Sequence, residues 1–320
     1  MPTVTREIRL ARRPHGEPVP EDFELATREL PDPGEDELLV RNVFMSVDPY
    51  MRGRMDDRES YVAPFDLGKA LMGGAVGQVV GSDDLVVHGK GWREHALVPR
   101  SRALAVESLE GVPVSALLGA LGMPGFTAWV GLTEIASLQP GETVFISAAA
   151  GAVGSVAGQI AKARGCRVIG SAGGPEKVAY VRDELGFDVA FDYREERLQE
   201  PIDVYFDNVG GPQLEQAIGK LRRGGRIALC GAVSQYNAVS PAPGPRNLAL
   251  LVGKRGMMRG FIVGDHADRD PEFREEVLEL IGSGRLKLAE TVVEGGLEAA
   301  PGAFIDMLRG RYLGKVVVAL

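Results

Sequence analysis

The chain has 320 residues, enough for one large domain or two ordinary domains with sizeable apolar cores. Hydrophobic residues make up 45% of it and charged residues 25%, proportions that are typical of globular proteins and exclude a largely disordered chain. The formal net charge of −8 argues against nucleic acid as a partner, because phosphate backbones select basic surfaces.

The first part of the chain, to about residue 122, contains short β-like runs separated by Pro and turn residues. Strands are predicted at Glu37–Val43, Gly74–Val80 and Ala96–Val98. This pattern of short strands and turns is typical of an irregular, mostly antiparallel domain. The N-terminus is charged and lacks the apolar stretch of a signal peptide, so we expect a cytoplasmic protein.

From about Met123 apolar strands alternate with helical segments, a pattern that predicts a parallel sheet covered by helices. One uncharged stretch, Thr143 to Ala161, is as long as a membrane span. Its Gly, Ser and Gln content favours a strand, a turn and a helix instead, and no membrane segment is expected. The predicted elements are the strands Thr143–Ser147, Arg167–Gly170, Val189–Phe191, Asp203–Phe206 and Arg226–Cys230, and the helices Val153–Arg164, Glu176–Leu185 and Gln213–Leu221.

The last part of the chain predicts a helix at Pro271–Ile281 and a closing strand at Lys315–Leu320. We expect the closing strand to return to the first domain. Residues 1–122 and 290–320 would then form one domain, and residues 123–289 would form the other.

A turn rich in small residues follows the first strand of the alternating region. It has the spacing Ala148-x-x-Gly151-x-x-Gly154 and leads directly into a helix. The first N–H groups of a helix lack partners and carry partial positive charge, and glycine lets the backbone approach a phosphate closely. The flanking strand and helix favour a dinucleotide-binding turn over a merely structural one.

The second strand of this region distinguishes between the two nicotinamide dinucleotides. NAD-binding proteins usually carry Asp or Glu at its end to hold the ribose 2′-hydroxyl. Here the strand runs into Ser171, Ala172, Gly173 and Gly174, without an acid, and Lys177 lies close by. This favours NADP(H), although Lys177 is also compatible with an ordinary exposed helix lysine.

Metal ligands are sparse and dispersed. The histidines stand at positions 15, 88, 95 and 266, and the two cysteines, Cys166 and Cys230, lie in apolar runs of the other predicted domain. A catalytic zinc needs about three protein ligands and an open position. We therefore predict no metal site, and we expect both cysteines to be buried free thiols, since two are too few for a disulfide scaffold.

Four segments show a resemblance to a known family. They are Val40–Met55, which contains Ser-Val-Asp-Pro-Tyr-Met-Arg-Gly, then Ala149–Ser155, Tyr205–Gly211 and Cys230–Asn237; Gly314-Lys315 also fits. With these segments the chain resembles, over essentially its whole length, the zinc-independent medium-chain dehydrogenase/reductases. The likeness is to the branch of prostaglandin reductases, alkenal double-bond reductases and curcumin-reductase-like proteins.

The resemblance implies a GroES-like, mostly-β catalytic domain, a Rossmann domain with a doubly wound parallel sheet, NADP(H) in the cleft between them, and a homodimer. Two features depart from the family pattern: Tyr312 stands where relatives have an Asn that touches the nicotinamide, and the region Gly81–Lys90 is shorter. The implied cofactor contacts are Gly151, Ala152, Val153 and Gly154 for the diphosphate, Gly173, Lys177 and Tyr193 for the adenosine and 2′-phosphate, and Asn208, Cys230, Gly231, Ala232, Val233, Ser234, Phe261, Ile262 and Val263 for the ribose and nicotinamide.

The chemistry expected of such a site without a metal is conjugate reduction. Hydride would go to the β-carbon of an enone or enal, and the carbonyl would accept charge as an enolate. A protonated tyrosine suits such a site, and we predict Tyr236 as the enolate stabiliser and Tyr50 as a substrate contact, from opposite domains. Each is also compatible with a packing role. An NADPH:quinone reductase and a non-catalytic NADPH-binding protein remain alternatives, and Arg52 is expected to pair with Asp48 or to meet an anionic substrate.

Overall fold

The protein is described from a computed structural model, which covers residues 3–107 and 109–320. The chain divides into two compact units. The first contains residues up to Leu118 together with Thr291–Tyr312 and Val316–Leu320, and the second contains Gly119–Glu290 and Leu313–Lys315.

The elements follow one another in chain order. Up to Leu118 they are the strands β1 (Thr3–Leu10), β2 (Phe23–Leu30) and β3 (Glu37–Ser46), the helix α1 (Tyr50–Arg54), and the strands β4 (Ala75–Val79), β5 (Leu85–His88), β6 (His95–Pro99) and β7 (Leu104–Ala105). They continue with α2 (Met123–Val130), β8 (Thr143–Ile146), α3 (Ala152–Ala163), β9 (Arg167–Ala172), α4 (Pro175–Ala179), β10 (Val189–Asp192), β11 (Ile202–Asp207), α5 (Gly211–Lys220), β12 (Leu221–Leu229), α6 (Leu250–Lys254), β13 (Met257–Gly260) and α7 (Asp270–Gly282). The last elements are β14 (Glu290–Val293), α8 (Ala300–Leu308) and β15 (Lys315–Ala319).

The first unit is built on antiparallel strands. β1 pairs with β2, and a seven-stranded sheet runs in the order β14-β15-β3-β4-β5-β7, with β6 also paired to β3. The C-terminal strand β15 pairs antiparallel with β3, so the end of the chain lies in the sheet that its beginning forms. A tight turn joins β4 to β5, in which Val79 N donates to Asp84 O; this turn and β5 occupy most of the Gly81–Lys90 region.

The core of the first unit is apolar and aromatic. Trp92 is fully buried, stacks on Phe23 at 6.1 Å between ring centroids, and meets Phe304 edge-on at 6.0 Å. Met45 and Met51 are buried members of the same cluster. Phe304 belongs to α8, so residues that are distant in the sequence complete the core of the first unit.

The second unit contains a six-stranded parallel sheet in the order β10-β9-β8-β11-β12-β13. The predicted doubly wound parallel sheet is therefore confirmed, and β13 adds a strand that the sequence pattern did not reveal. The strand order reverses between β8 and β11. In open parallel sheets a crevice forms at the carboxyl ends of the strands at such a point, and ligands bind there.

Glycines on α3 and β9 make room for the ring of Phe187. A Cβ on Gly158 would lie 1.9 Å from Cζ of Phe187, and a Cβ on Gly170 would lie 2.8 Å from the same ring. The uncharged stretch from Thr143 to Ala161 thus forms β8, a turn and most of α3. Within the part of the chain that the structure describes, no helix is long and apolar enough to span a membrane. The helix predicted at Glu176–Leu185 begins as α4 and continues as a π-helical turn, Tyr180–Glu184.

Candidate functional site

The turn between β8 and α3 is tightly constrained. Ala148 stands at the first fingerprint position with φ of +50°, a left-handed conformation that explains why glycine is common there. Gly151 caps α3, and no side chain supplies a cap hydrogen bond. A Cβ on Gly154 would lie 2.3 Å from the carbonyl oxygen of Ala148, so only glycine fits. The turn therefore leads into the N-terminus of α3, where Ala152 and Val153 occupy the first helical positions.

The segment Leu313–Lys315 is hydrogen-bonded to the backbone of this turn and to Ala289. Gly314 N donates to Ala150 O at 2.7 Å, and Lys315 N donates to Ala289 O at 2.7 Å. Gly314 has φ of +63°, and a Cβ there would lie 2.0 Å from Ala289 O. Just before it, Tyr312 packs against the core cluster of the first unit, and burial raises the pKa of its hydroxyl.

A group of basic side chains lies beyond the carboxyl end of β9. Lys177 is half-buried there, and burial, followed by the charge of Arg194, lowers its pKa. The Arg194 guanidinium Cζ lies 5.7 Å from the centre of the Tyr193 ring. Its Nη2 atom and Tyr193 Cε1 each lie 3.2 Å from the position of a Cβ on Gly173. A single group of side chains beside Gly173 is therefore formed by Lys177, Tyr193 and Arg194.

One acid beside this group is held by the backbone. Asp192 accepts hydrogen bonds from Gly174 N at 2.9 Å and from Arg194 N at 3.0 Å. The Arg194 side chain makes no hydrogen bond or ion pair with residues 3–107 or 109–320. Sequence reasoning missed Arg194. Its position directly after Tyr193 was the available signal, but the direction of its side chain is decided by the fold.

The loops that follow β11 and β12 are bonded to each other. Val233 N donates to Asn208 O at 3.2 Å, and Ser234 donates through both N (3.2 Å) and Oγ (2.6 Å) to Val209 O. The Asn208 amide donates to Ser147 O at 2.8 Å, at the end of β8. A Cβ on Gly231 would lie 3.4 Å from Asn208 O, so the two loops approach closely.

Tyr236 and Cys230 lie in the second of these loops. The Tyr236 hydroxyl accepts a long hydrogen bond from Ala232 N, at 3.4 Å, and lies 3.1 Å from the position of a Cβ on Gly231. Burial, followed by the charge of Asp207, raises the pKa of the Cys230 thiol to about 12, so it stays protonated. Cys166 is buried, and both cysteines are free.

The segment after β13 completes the predicted contacts of the second unit. Phe261 is half-buried, and its Cζ lies 3.0 Å from the position of a Cβ on Gly131. Ile262 is exposed and Val263 half-buried. Both follow the carboxyl end of the edge strand of the sheet.

Tyr50 lies in the first unit, at the start of α1. Burial, followed by the charge of Asp48, raises the pKa of its hydroxyl well above the usual range, so the hydroxyl stays protonated at neutral pH. Asp48 accepts a hydrogen bond from Ser46 Oγ.

Arg52 has a different partner from the one expected. Its guanidinium is buried, with 3% of the side chain exposed, and it pairs with Asp56 at 2.7 Å rather than with Asp48. It also donates to Gly16 O from both Nε and Nη2. Asp56 follows Arg52 by four residues, the spacing at which two side chains lie on the same face of a helical turn. With these partners Arg52 joins α1 to the N-terminal segment.

Metal ligands are not assembled within residues 3–107 and 109–320, where no group of three or more His, Cys, Asp or Glu side chains is placed to hold an ion. His88 is buried, its Nδ1 accepts from Lys90 N at 3.0 Å, and burial lowers its pKa to about 4. His95 is half-buried in β6, as a strand residue.

Comparisons with known proteins agree with this architecture. Residues 6–106 match the family model "N-terminal domain of oxidoreductase", and residues 152–283 match the model "Zinc-binding dehydrogenase". The chain is 41% identical to an NADPH-dependent curcumin reductase of Escherichia coli, over 97% of this chain and 95% of the relative. It is also 41% identical to an NADP(+)-dependent 2-alkenal reductase of Nicotiana tabacum, over 89% and 88% of the two chains.

A solved structure shows the same fold. The crystal structure of CurA in complex with NADPH, from Vibrio vulnificus, superposes with a TM-score of 0.91 at 40% identity and covers 98% of each chain. Sequence and structure therefore identify this chain as a member of the medium-chain dehydrogenase/reductases, in the branch of prostaglandin, alkenal and curcumin reductases that its sequence resembles.

Proposed function

We propose that the protein reduces the carbon–carbon double bond of α,β-unsaturated ketones and aldehydes with NADPH, without a metal. The observation that carries the cofactor part is the basic group at the end of β9, where Lys177 and Arg194 meet beside Gly173. The substrate class is supported by the curcumin and alkenal reductases to which the chain is similar.

The residues of the second unit fit a dinucleotide that carries a 2′-phosphate. The Ala148–Gly154 turn leads into the N-terminus of α3, the kind of backbone site that binds a diphosphate. Glycine is required at position 154 because a Cβ there would lie 2.3 Å from Ala148 O. Arg194 offers a guanidinium without a carboxylate partner among the described residues, and such a group suits a phosphate. The carboxylate of Asp192 lies in the same region and accepts hydrogen bonds from two backbone N–H groups.

NADPH, when bound, supplies the hydride that the β-carbon of the substrate receives. Tyr236 then donates a hydrogen bond from Oη to the carbonyl oxygen, where negative charge develops. Tyr50, whose raised pKa keeps it protonated, contributes a positioning hydrogen bond. A proton from solvent completes the reduction at the α-carbon.

Replacing Tyr236 by Phe tests its proposed role. We expect kcat on an enone to fall by about 100-fold, as for the loss of one oxyanion donor, with the Kd of NADPH unchanged. Tyr180→Phe is the comparison, because Tyr180 lies in the π-helical turn Tyr180–Glu184 and is not among the predicted cofactor or substrate contacts; it should keep kcat. Full kcat in Tyr236→Phe would remove the tyrosine from the mechanism while leaving the reaction class intact.

The reaction class is tested by measuring NADPH oxidation with matched acceptors in the presence of EDTA. The panel contains enals, enones, quinones and the saturated analogues of the enals. Turnover of the conjugated alkenes, and of neither quinones nor saturated aldehydes, is the expected result. Activity with quinones alone would establish the quinone reductase instead. Binding of NADPH without oxidation by any acceptor would establish a non-catalytic binding protein.

We also propose that the protein is a homodimer joined along β13. This strand is the edge of the parallel sheet, and its apolar residues Met257 and Met258 are exposed. Val252 of α6 is 82% exposed beside it in the sequence. An unpaired apolar edge favours pairing with a second copy.

Light scattering tests the dimer and should give twice the mass of the monomer. The double variant Met257→Lys, Val252→Lys should give the mass of the monomer. The control Leu104→Lys, at an exposed site of the first unit, should remain a dimer. A monomeric wild-type protein would contradict the proposal.

A further inference from the structure

A fully buried acid lies at the carboxyl end of β11, and none of the predicted contacts includes it. Asp207 is 0% exposed. Its Oδ1 atom accepts hydrogen bonds from the Tyr205 hydroxyl at 2.7 Å, from Val209 N at 2.9 Å and from Gly210 N at 2.8 Å. One carboxyl oxygen thus holds the backbone of the loop that begins at Asn208.

The main chain of the same residue holds the next loop. The carbonyl oxygen of Asp207 accepts hydrogen bonds from Cys230 N at 2.9 Å and from Gly231 N at 3.0 Å. These two residues begin the loop that leads to Tyr236. A shift of Asp207 would therefore move both loops together.

Ser147, at the end of β8, links this arrangement to the third loop. Its Oγ accepts from Asn208 N at 3.0 Å and lies 3.0 Å from the Tyr205 hydroxyl. The strands β8 and β11 are the pair between which the strand order reverses, and the loop that leaves β8 is the Ala148–Gly154 turn. Asp207 consequently lies where the loops after β8, β11 and β12 meet.

Stability alone does not explain an acid at this position. The Oδ2 atom is buried and has no hydrogen-bond partner among the described residues. Burial also raises the pKa of Asp207, against the effect of its donors. A buried carboxyl oxygen without a hydrogen bond is costly. What the carboxyl supplies is an acceptor, Oδ1, placed for two consecutive backbone N–H groups.

We propose that Asp207 is a positioning residue for the cofactor: its Oδ1 acceptor sets the conformation of the loops at 208–211 and 230–236 to which the dinucleotide binds. This inference rests on the proposed binding of NADP(H). Asp207 does not touch the cofactor in this account, and it acts through the backbone that it holds.

The test is the Kd of NADPH, measured from the fluorescence of the bound dinucleotide without any acceptor substrate. We expect Asp207→Ala to weaken binding by about 30-fold or more, because two backbone donors lose a charged acceptor. Asp207→Asn keeps an oxygen at Oδ1 and should bind within about threefold of the wild type. The matched control is Asp203→Ala, at the opposite end of β11, where the carboxylate accepts from Thr143 N at 2.9 Å and pairs with Arg222.

The control separates positioning from a loss of stability. Asp203→Ala should lower the unfolding temperature and leave the Kd of NADPH within about threefold, since its bonds lie away from the loops. Equal Kd values for Asp207→Ala and Asp203→Ala would overturn the proposal, and so would an Asp207→Asn variant as weak as Asp207→Ala.

A milder variant serves if Asp207→Ala does not fold. Ser147→Ala removes the acceptor of Asn208 N together with the hydroxyl that bonds Tyr205 and Asp207 Oδ1, but it leaves the Asp207 carboxyl in place. We expect the Kd of NADPH to rise by about fivefold to tenfold. An unchanged Kd in Ser147→Ala would contradict the role of the cluster. A wild-type protein that does not bind NADPH would remove the proposed function itself, an outcome distinct from a failure at Asp207.

Discussion

The substitution Gly154→Ala is expected to abolish measurable NADPH binding. The added Cβ would lie 2.3 Å from Ala148 O, 2.9 Å from Ala148 C and 2.9 Å from Ala149 Cα. All three are backbone atoms, so no side chain can rotate away and the turn itself must move. Because the proposed diphosphate site is this backbone, we expect the Kd of NADPH to rise by more than about 100-fold. Titration of the protein with NADPH, followed by fluorescence or calorimetry, measures it.

The matched control for this prediction is Gly219→Ala. Gly219 is also a helical glycine of the second unit, and the nearest atom to its added Cβ is Asn247 Nδ2 at 3.8 Å. Alanine should stabilise α5 there by up to about 1 kcal/mol and leave NADPH binding unchanged. If Gly154→Ala binds NADPH as tightly as Gly219→Ala does, the turn is not the diphosphate site.

Removal of the two cations at the end of β9 is expected to reverse the preference for NADPH over NADH. Each of Lys177→Ala and Arg194→Ala should weaken NADPH by about tenfold to 100-fold, the value of a charged hydrogen bond, and should change NADH binding by less than about threefold. The physical reason is that only NADPH carries the 2′-phosphate. The Kd values of both dinucleotides, measured for each variant, give the ratio directly.

Arg182→Ala is the control for a general loss of positive charge. Arg182 is exposed on the helical segment that follows Lys177, and it pairs with its neighbour Asp183. Its removal should weaken neither dinucleotide. An unchanged NADPH-to-NADH ratio in Lys177→Ala would show that this residue is an ordinary helix lysine. The same result in Arg194→Ala would exclude the guanidinium from the 2′-phosphate site.

Much of the second unit was predictable because its signals are local. The strand at Thr143–Ile146, the turn and the helix α3 follow from one apolar run and three small residues, which need no distant partner to be recognised. The glycine requirement at position 154 was visible as spacing. Its cause, the close approach to Ala148 O, arises only in the folded turn.

Contacts between distant residues were harder to predict. The edge strand β13 lies in a segment of Met, Arg and Gly without alternating pattern, and it forms because β12 offers it a partner. Arg52 was expected beside Asp48, yet α1 brings Asp56 to it one turn later. Tyr312 stands where relatives have an Asn that touches the nicotinamide, and its side chain packs against the core cluster of the first unit, a contact that the sequence pattern does not reveal. Arg194 was missed because nothing local sets the direction of its side chain.

The sequence by itself determined the family, the alternation of strands and helices, and the position of the small-residue turn. These depend on short spacings and on the periodicity of apolar residues, which are properties of neighbouring residues in the chain. Only the tertiary structure decided that Asp207 joins three loops and that Arg194 reaches Gly173. Those relations exist because parallel strands far apart in sequence end at the same edge of one sheet, and that adjacency depends on how the whole chain packs.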